Sequence, residues 1–210
     1  MNERKETVRV EAFSDGVFAI AITLLILEIK VPHSEKIVSN SQLWHEIKHL
    51  WPSYFAFVFS FGSILVAWVN HHHAFNIINK TSRTFMYANG FLLLTITFIP
   101  FPTAMLAEFI GTRYAQPAIV FYCFCSLLTT FAWYLFGLTV IKPKPLIDGN
   151  LNLGLFKKSM KYVIWGLWFG LATTLLAFIF PITALLINFS ILILWVIHSL
   201  RNETMVNIEK

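Results

Sequence analysis

The sequence has few charged residues and few cysteines. Asp, Glu, Lys and Arg make up 13% of its 210 residues, whereas 57% are hydrophobic. So low a charged fraction excludes an ordinary soluble domain and indicates a polytopic membrane protein. The two cysteines, Cys123 and Cys125, lie inside one apolar run, which predicts buried thiols rather than a disulfide framework or a metal knuckle. The net charge of +5 is explained by membrane topology and does not predict a nucleic-acid partner.

Six apolar segments are long enough to cross a bilayer, which takes about 20 mostly apolar residues. They predict an all-α membrane protein in which residues 1–210 form a single six-helix domain. Five prolines lie at or near the segment ends, where the missing backbone N–H is tolerated: Pro32, Pro52, Pro117, Pro143 and Pro181. The predicted spans are about 9–30, 52–72, 85–107, 116–140, 160–180 and 182–200.

The Lys and Arg residues predict the orientation of these spans. With the N-terminus inside, the outer segments hold only four of the sixteen basic residues, Lys30, Lys36, Lys48 and Arg113. The other twelve fall on the cytoplasmic side, a bias typical of inner loops. Six spans, an even number, then place the C-terminus inside as well.

Polar residues gather near the cytoplasmic ends of the first three spans. The first span carries Ser14 and Asp15 close to its start, and ionisable groups at that depth are costly unless they are paired. The second span ends on the same side in Asn70 and three histidines, and the third begins there with Asn89. Span direction alone therefore predicts that these side chains lie at similar depth.

Partners for the charged groups are expected on neighbouring helices. Arg9 and Asp15 are six residues apart, about 240° around a helix, so they do not face each other. We expect Asp15 to bond to Ser14, to a histidine and to the indole N–H of Trp68, because polar groups buried in lipid must be satisfied. Ser14 and Asp15 point about 100° apart, which suits packing better than a catalytic triad, and an enzyme is not predicted.

Three interpretations compete for His71, His72 and His73. A metal site is disfavoured, because three consecutive side chains cannot all point one way on a helix and no further ligand has suitable spacing. A hydrogen-bond network that locks the first three helices is favoured. A proton-sensing or gating role for the same network stays open, since histidine titrates near neutrality. His73 is expected to be exposed to water. The predicted helix-locking network comprises Arg9, Phe13, Ser14, Asp15, Trp68, Asn70, His71, His72 and Asn89.

An aliphatic stripe follows the polar cluster along the first span. With Ile20 at zero, Leu24 falls at about 40°, Leu27 at about −20° and Thr23 at about −60° around the helix. Asp15 is about 140° from Ile20 and so lies off the stripe. Such a stripe in a membrane helix is most often a packing or lipid-facing surface, and its spacing alone does not predict a pore.

Three motifs, in chain order, carry a family resemblance. They are Arg9-x-x-x-Phe13-Ser14-Asp15, then Trp68-x-x-His71-His72-x-x-Phe75, then Asn89 with Phe98-Ile-Pro100-Phe101. Together they resemble the Transmembrane protein 175 family of lysosomal and prokaryotic potassium channels. The likeness extends over most of the chain, and the sequence lacks the Thr-Val-Gly-Tyr-Gly filter of other potassium channels, as that family does.

The resemblance implies a potassium-preferring cation channel whose first helices line the pore. It assigns the constriction to Ile20, Leu24 and Leu27, with Thr23 as a polar neighbour. One six-span repeat implies the prokaryotic form, a homotetramer in the cell membrane, and four copies around an axis enclose a pore that one helix cannot. The expected partners are potassium ions, three further copies of the chain and membrane lipid. No cofactor, protein-held metal or nucleic acid is expected. The alternative is a proton-permeable channel or proton-coupled transporter that uses the histidines.

Overall fold

The computed structural model describes residues 3–142, 144–148 and 150–208, with side chains described for 6–142, 144–148 and 153–197 except at positions 36 and 192. Of the predicted domain 1–210, the remaining positions lie outside the described residues. The described residues are helical and contain no strand, which confirms the predicted all-α class. The helices are α1 (Glu3–Leu24), α2 (Asn40–His49), α3 (Trp51–Phe75), α4 (Arg83–Phe98), α5 (Pro100–Phe109), α6 (Ala115–Ile141), α7 (Asn150–Leu176) and α8 (Pro181–Ile208).

Within the described residues, four helical segments are long and apolar enough to cross a membrane. They are Glu6–Glu28, Trp51–Phe75, Arg83–Phe109 and Ala115–Ile141, and they match the first four predicted spans. The predicted fifth span, 160–180, falls mostly in α7, which is not among the four. The predicted sixth span, 182–200, lies in α8, where Pro181–Ile197 is a shorter apolar helix.

The third span is one apolar segment, as predicted for 85–107, but a single residue divides it into two helices. Helix α4 ends at Phe98 and α5 begins at Pro100. Pro100 has no backbone N–H to continue the α4 ladder, and it is well suited to the first position of a new helix. At the junction the N–H of Ile99 bonds to the carbonyl of Ile96 at 3.2 Å, a tighter i to i−3 bond. The junction lies beside the end of α1.

The loop before the second span contains a helix that the sequence analysis did not predict. Helix α2 begins after Ser39, whose hydroxyl accepts a hydrogen bond from the N–H of Gln42 at 3.2 Å. Serine in this position is a common helix N-cap, because its oxygen satisfies a backbone N–H that has no partner within the helix. This cap was the signal that could have revealed the helix.

Two hydrophobic clusters hold the helices together. The larger one joins α1, α3, α4 and α6 around Phe18, Ile64, Leu92 and Phe136. The smaller one joins α5, α6 and α8 and includes Cys123, which is buried, whereas Cys125 is half-buried; both thiols are free. The larger cluster fixes one face of α1 and thereby leaves the opposite face uncovered.

Helix α7 packs closely on α6 at glycines. A Cβ added at Gly137 of α6 would overlap the sulfur of Met160, and one added at Gly170 of α7 would meet Leu127 at 3.1 Å. Small residues at such positions let two membrane helices approach each other. The α6–α7 pair thus forms a unit beside the larger cluster.

Candidate functional site

A chain of hydrogen bonds joins α1, α4 and α3 inside the larger cluster. The hydroxyl of Ser14 donates to the carbonyl of Val10 at 2.9 Å and accepts from Asn89 Nδ2 at 2.9 Å. Asn89 Oδ1 lies 2.9 Å from His71 Nε2. Since Asn89 Oδ1 can only accept, His71 Nε2 is the donor, and every bond in this chain points from α3 towards the backbone of α1.

A second set of contacts joins α1 directly to α3. The indole Nε1 of Trp68 donates to Asp15 Oδ1 at 2.9 Å, as the sequence analysis predicted. One turn away, His72 Nδ1 lies 3.3 Å from Glu11 Oε1. Each helix supplies a pair of residues four apart, and such residues lie on the same helix face. The indole of Trp68 also stacks on the His72 ring, with centroids 5.9 Å apart.

Glu11 was not in the predicted network. Its spacing to Asp15 equals that of Trp68 to His72, and this match was the signal available in the sequence. Two antiparallel helices with side-chain pairs at the same spacing can meet at both positions. The pairing of Glu11 with His72 also explains why Asp15 does not bond to a histidine.

The three histidines point in different directions, as their consecutive positions require. His71 is fully buried, whereas His72 and His73 are exposed. The His71 ring lies among aromatic rings, with centroids 4.6 Å from Phe75 and 5.3 Å from Phe18. Its Nδ1 is a buried atom with no hydrogen-bond partner within the described part of the chain.

Three predicted network residues lie outside these contacts within the single chain. Phe13 is 64% exposed, and Arg9 is also exposed, with no hydrogen bond or ion pair among the described residues. Asn70 Nδ2 donates to the carbonyl of Val66 in its own helix at 2.8 Å. Arg9 and Phe13 make no contact with the network because they lie on the uncovered face of α1, given that successive residues are about 100° apart around a helix. Ser14 likewise bonds to Asn89 rather than to Asp15.

The aliphatic stripe lies on that uncovered face. Ile20 is 60% exposed, Leu24 53% and Leu27 62%, and Thr23 beside them is exposed as well. Residues on the opposite side of the same helix are buried, with Phe18 only 1% exposed. A contiguous apolar face of this kind marks a surface that meets lipid or another protein.

The end of α1 changes the geometry of the stripe. The helix continues as a 3₁₀ segment over Leu25–Glu28, which turns by about 120° per residue rather than about 100°. The angle predicted for Leu27 assumed a regular α-helix and therefore does not apply, although Leu27 is still exposed. Just before this change the hydroxyl of Thr23 donates to the carbonyls of Ala19 at 2.8 Å and Ile20 at 3.1 Å. Such bonds from a side chain to its own helix compete with the regular ladder.

A shallow open groove of about 350 Å³ lies between the stripe and the junction of α4 and α5. The α1 side contributes Ile20, Leu24 and Glu28. Thr97, Phe98, Pro100 and Phe101 contribute the other wall. The break at Pro100 thus shapes the surface beside the stripe. Within the described residues, no group of three His, Cys, Asp or Glu side chains is arranged to hold a metal ion.

Comparison with known proteins points to one family. A family model described as the endosomal/lysosomal potassium channel TMEM175 matches residues 9–100. A protein of a Chryseobacterium species named a potassium channel is 30% identical over 197 residues, which cover 93% of this chain and 95% of the relative. A potassium channel of Chamaesiphon minutus is 57% identical over 120 residues, covering 57% of this chain and 59% of the relative.

An animal relative and a solved structure extend this comparison. The human relative, named an endosomal/lysosomal proton channel, is 32% identical over 105 residues, which is 48% of this chain and 21% of the human protein. The crystal structure of a lysosomal potassium-selective channel TMEM175 homolog from Chamaesiphon minutus superposes with a TM-score of 0.80 and 39% identity. That match covers 93% of this chain and 98% of the other. The chain described here belongs to the TMEM175 family.

Proposed function

We propose that the chain forms a potassium-selective cation channel, favouring potassium over sodium, with an apolar constriction made by Ile20, Leu24 and Leu27 of α1. The observation that carries this proposal is the uncovered aliphatic face of α1, which lies opposite a face locked by buried polar bonds. The bacterial relatives named potassium channels support it. Ion conduction, rather than catalysis, is the activity after which the family is described.

The proposed assembly is a homotetramer of six-span subunits with both termini in the cytoplasm. Helices α7 and α8 supply the fifth and sixth spans, and the first helices of four copies surround the axis. One uncovered α1 face per chain supports a cyclic arrangement, since an identical surface on each copy can line a shared path. Exposed Trp44 in α2 and Trp51 at the start of α3 fit the aromatic belt at the outer surface of a bilayer. The proposed location is the prokaryotic cell membrane.

The constriction is proposed to gate by dewetting. Four Ile20 side chains would form a ring, with Leu24 and Leu27 further out and the bonded hydroxyl of Thr23 beside them. An ion passing a narrow apolar ring must lose water and gains no ligand in return, so the closed ring blocks conduction. Potassium holds its water less tightly than sodium, which favours potassium. Opening then requires the first helices to move apart.

The polar contacts of Ser14, Asp15, His71 and Asn89 are proposed to keep α1 in register with α3 and α4. Hydrogen bonds between membrane helices fix their relative position. In this role the network sets the placement of Ile20 without touching the ion. Arg9, Phe13 and Asn70 belong to the same end of the helices and are proposed to act between subunits or at the inner surface.

The first test is the reversal potential of purified protein in planar bilayers. Under a potassium gradient at equal pH, the proposed channel gives a reversal potential close to that of potassium. The molecular mass of the purified protein in detergent is measured as well, to show whether it is a tetramer or a monomer. The proposal is contradicted if the protein is monomeric, or if its reversal potential does not change with the potassium gradient.

A proton-permeable channel or proton-coupled transporter is the second candidate. It is favoured by the unpartnered Nδ1 of His71, which ends a hydrogen-bond chain through Asn89 and Ser14, and by the name of the human relative. A pH gradient at equal potassium distinguishes the two functions. A reversal potential that follows the pH gradient supports proton movement, and one that stays at zero excludes it.

A further inference from the structure

The acidic side chains along the first helical segment differ in whether they have partners. Glu6, Glu11 and Asp15 each contact a side chain from another part of the chain. Glu28, the last residue of the 3₁₀ segment, is exposed and makes no hydrogen bond or ion pair within the part of the chain that the structure describes. The carboxylate at this end of the segment is therefore free to act on solvent ions.

Glu28 lies beside the aliphatic stripe, because the 3₁₀ segment turns by about 120° from Leu27 to Glu28. It lines the same groove as Ile20 and Leu24, facing the apolar wall of Phe98 and Phe101. Four residues of α-helix and four of 3₁₀-helix separate Ile20 from Glu28, a rise of about 14 Å. The carboxylate thus lies outward of the constriction, on the side where hydrated ions arrive.

We propose that Glu28 recruits monovalent cations at the outer mouth of the pore. This inference rests on the proposed channel function and tetramer, in which four copies place four carboxylates around the axis. Low-dielectric walls beside a charge focus its field and raise the local concentration of ions of opposite sign. Glu28 acts on hydrated cations, so it raises the rate of entry without setting the preference for potassium over sodium.

One positive charge lies close to this carboxylate. The Lys30 ammonium donates to the carbonyl of Leu27 at 3.0 Å, which holds it at the same mouth. Lys30 opposes cation entry, and the two residues therefore have effects of opposite sign. This opposition gives the proposal a second, independent variant.

The test is single-channel conductance in planar bilayers at two salt concentrations. Glu28→Gln lowers the conductance about twofold in 10 mM KCl, where the Debye length is about 30 Å, and has little effect in 1 M KCl, where it is about 3 Å. Cations that enter from the Glu28 side are affected most. Glu28→Asp keeps the charge and retains most of the conductance. Lys30→Gln raises the conductance in 10 mM KCl.

The control is Glu35→Gln. Glu35 is an exposed acid in the following outer segment that does not line the groove, and its loss leaves the conductance unchanged. Equal conductance of Glu28→Gln and the wild type in 10 mM KCl overturns the proposal, as does a loss that persists in 1 M KCl or appears equally in Glu28→Asp. A wild type without potassium current overturns the channel function itself, and the role of Glu28 with it.

Discussion

The two halves of α1 use opposite kinds of residue. The inner half, Glu11 to Phe18, carries polar side chains that have partners on α3 and α4, and it packs Phe18 into the core. The outer half, from Ile20 into the 3₁₀ continuation at Leu27, leaves the apolar side chains of the stripe uncovered in the chain, although Leu25 between them is buried. In a soluble protein, a polar cluster like that of the inner half would be the expected active site. In the proposed channel the bonded polar groups hold the helices, and the uncovered apolar groups form the ion path.

This comparison has an energetic basis. Removing one member of a buried hydrogen bond leaves its partner unsatisfied, which costs about 1–3 kcal/mol. A side chain that is exposed within the chain contributes little to the stability of the folded subunit, and its substitution usually changes stability by less than about 0.5 kcal/mol. Mutations in the inner half are therefore expected to act on folding, and those in the outer half on conduction.

The largest contrast is expected between two residues that are two positions apart. Phe18→Ala removes a fully buried ring and lowers the free energy of unfolding by about 3–5 kcal/mol. Ile20→Ala, on the uncovered face, changes it by less than about 0.5 kcal/mol. Thermal unfolding of the purified protein in detergent measures both. Similar losses for the two variants would remove the distinction between the faces of α1.

The next contrast compares two asparagines near the inner surface. Asn89→Ala leaves His71 Nε2 without an acceptor, while the Ser14 hydroxyl keeps its bond to the carbonyl of Val10. It lowers the free energy of unfolding by about 1–3 kcal/mol. Asn70→Ala breaks a bond within its own helix, where the carbonyl of Val66 keeps its backbone partner, and costs less than about 1 kcal/mol. The same unfolding assay applies. An Asn89 variant as stable as the Asn70 variant would contradict a locking role for the chain of bonds.

The direct α1–α3 bond is expected to have a smaller effect. A double-mutant cycle with Asp15→Ala and Trp68→Phe isolates it, with a coupling free energy of about 1 kcal/mol, because bonds between membrane helices are worth little more. Asp15→Ala is also expected to weaken the tetramer in detergent. Zero coupling together with an equally stable tetramer would show that the contact does not hold the helices.

The smallest effect is expected at the most exposed contact of the network. Glu11→Gln removes the charge facing His72, whose side chain is 47% exposed. Exposed ion pairs contribute about 0.2–1 kcal/mol and are screened by salt. The free energy of unfolding of Glu11→Gln and of the wild type, measured at low and at high salt, tests this contribution. A loss above that of Asp15→Ala would reverse the order of importance within the network.

Part of this arrangement could be predicted from sequence, because span direction already places the polar ends of the first three helices at one depth. The contact of Asp15 with Trp68 followed from that depth and from the need to satisfy buried groups. The contact between Glu11 and His72 depends on how α1 is rotated about its axis relative to α3. The hydropathy pattern of the sequence does not determine this rotation. The division of the third span at Pro100 was not predicted, because the residues on both sides of this proline are apolar and together match one span.

The central claim is that the apolar stripe of α1, and not the polar network, forms the ion path. The most direct measurement is the reversal potential of Ile20→Asn with potassium on one side of a planar bilayer and sodium on the other. The matched control is Leu175→Asn on α7, because Leu175 is also 60% exposed. We predict that Ile20→Asn wets the constriction and moves the reversal potential towards zero, while Leu175→Asn keeps the wild-type value. An unchanged reversal potential in Ile20→Asn would contradict the assignment of the ion path to this stripe.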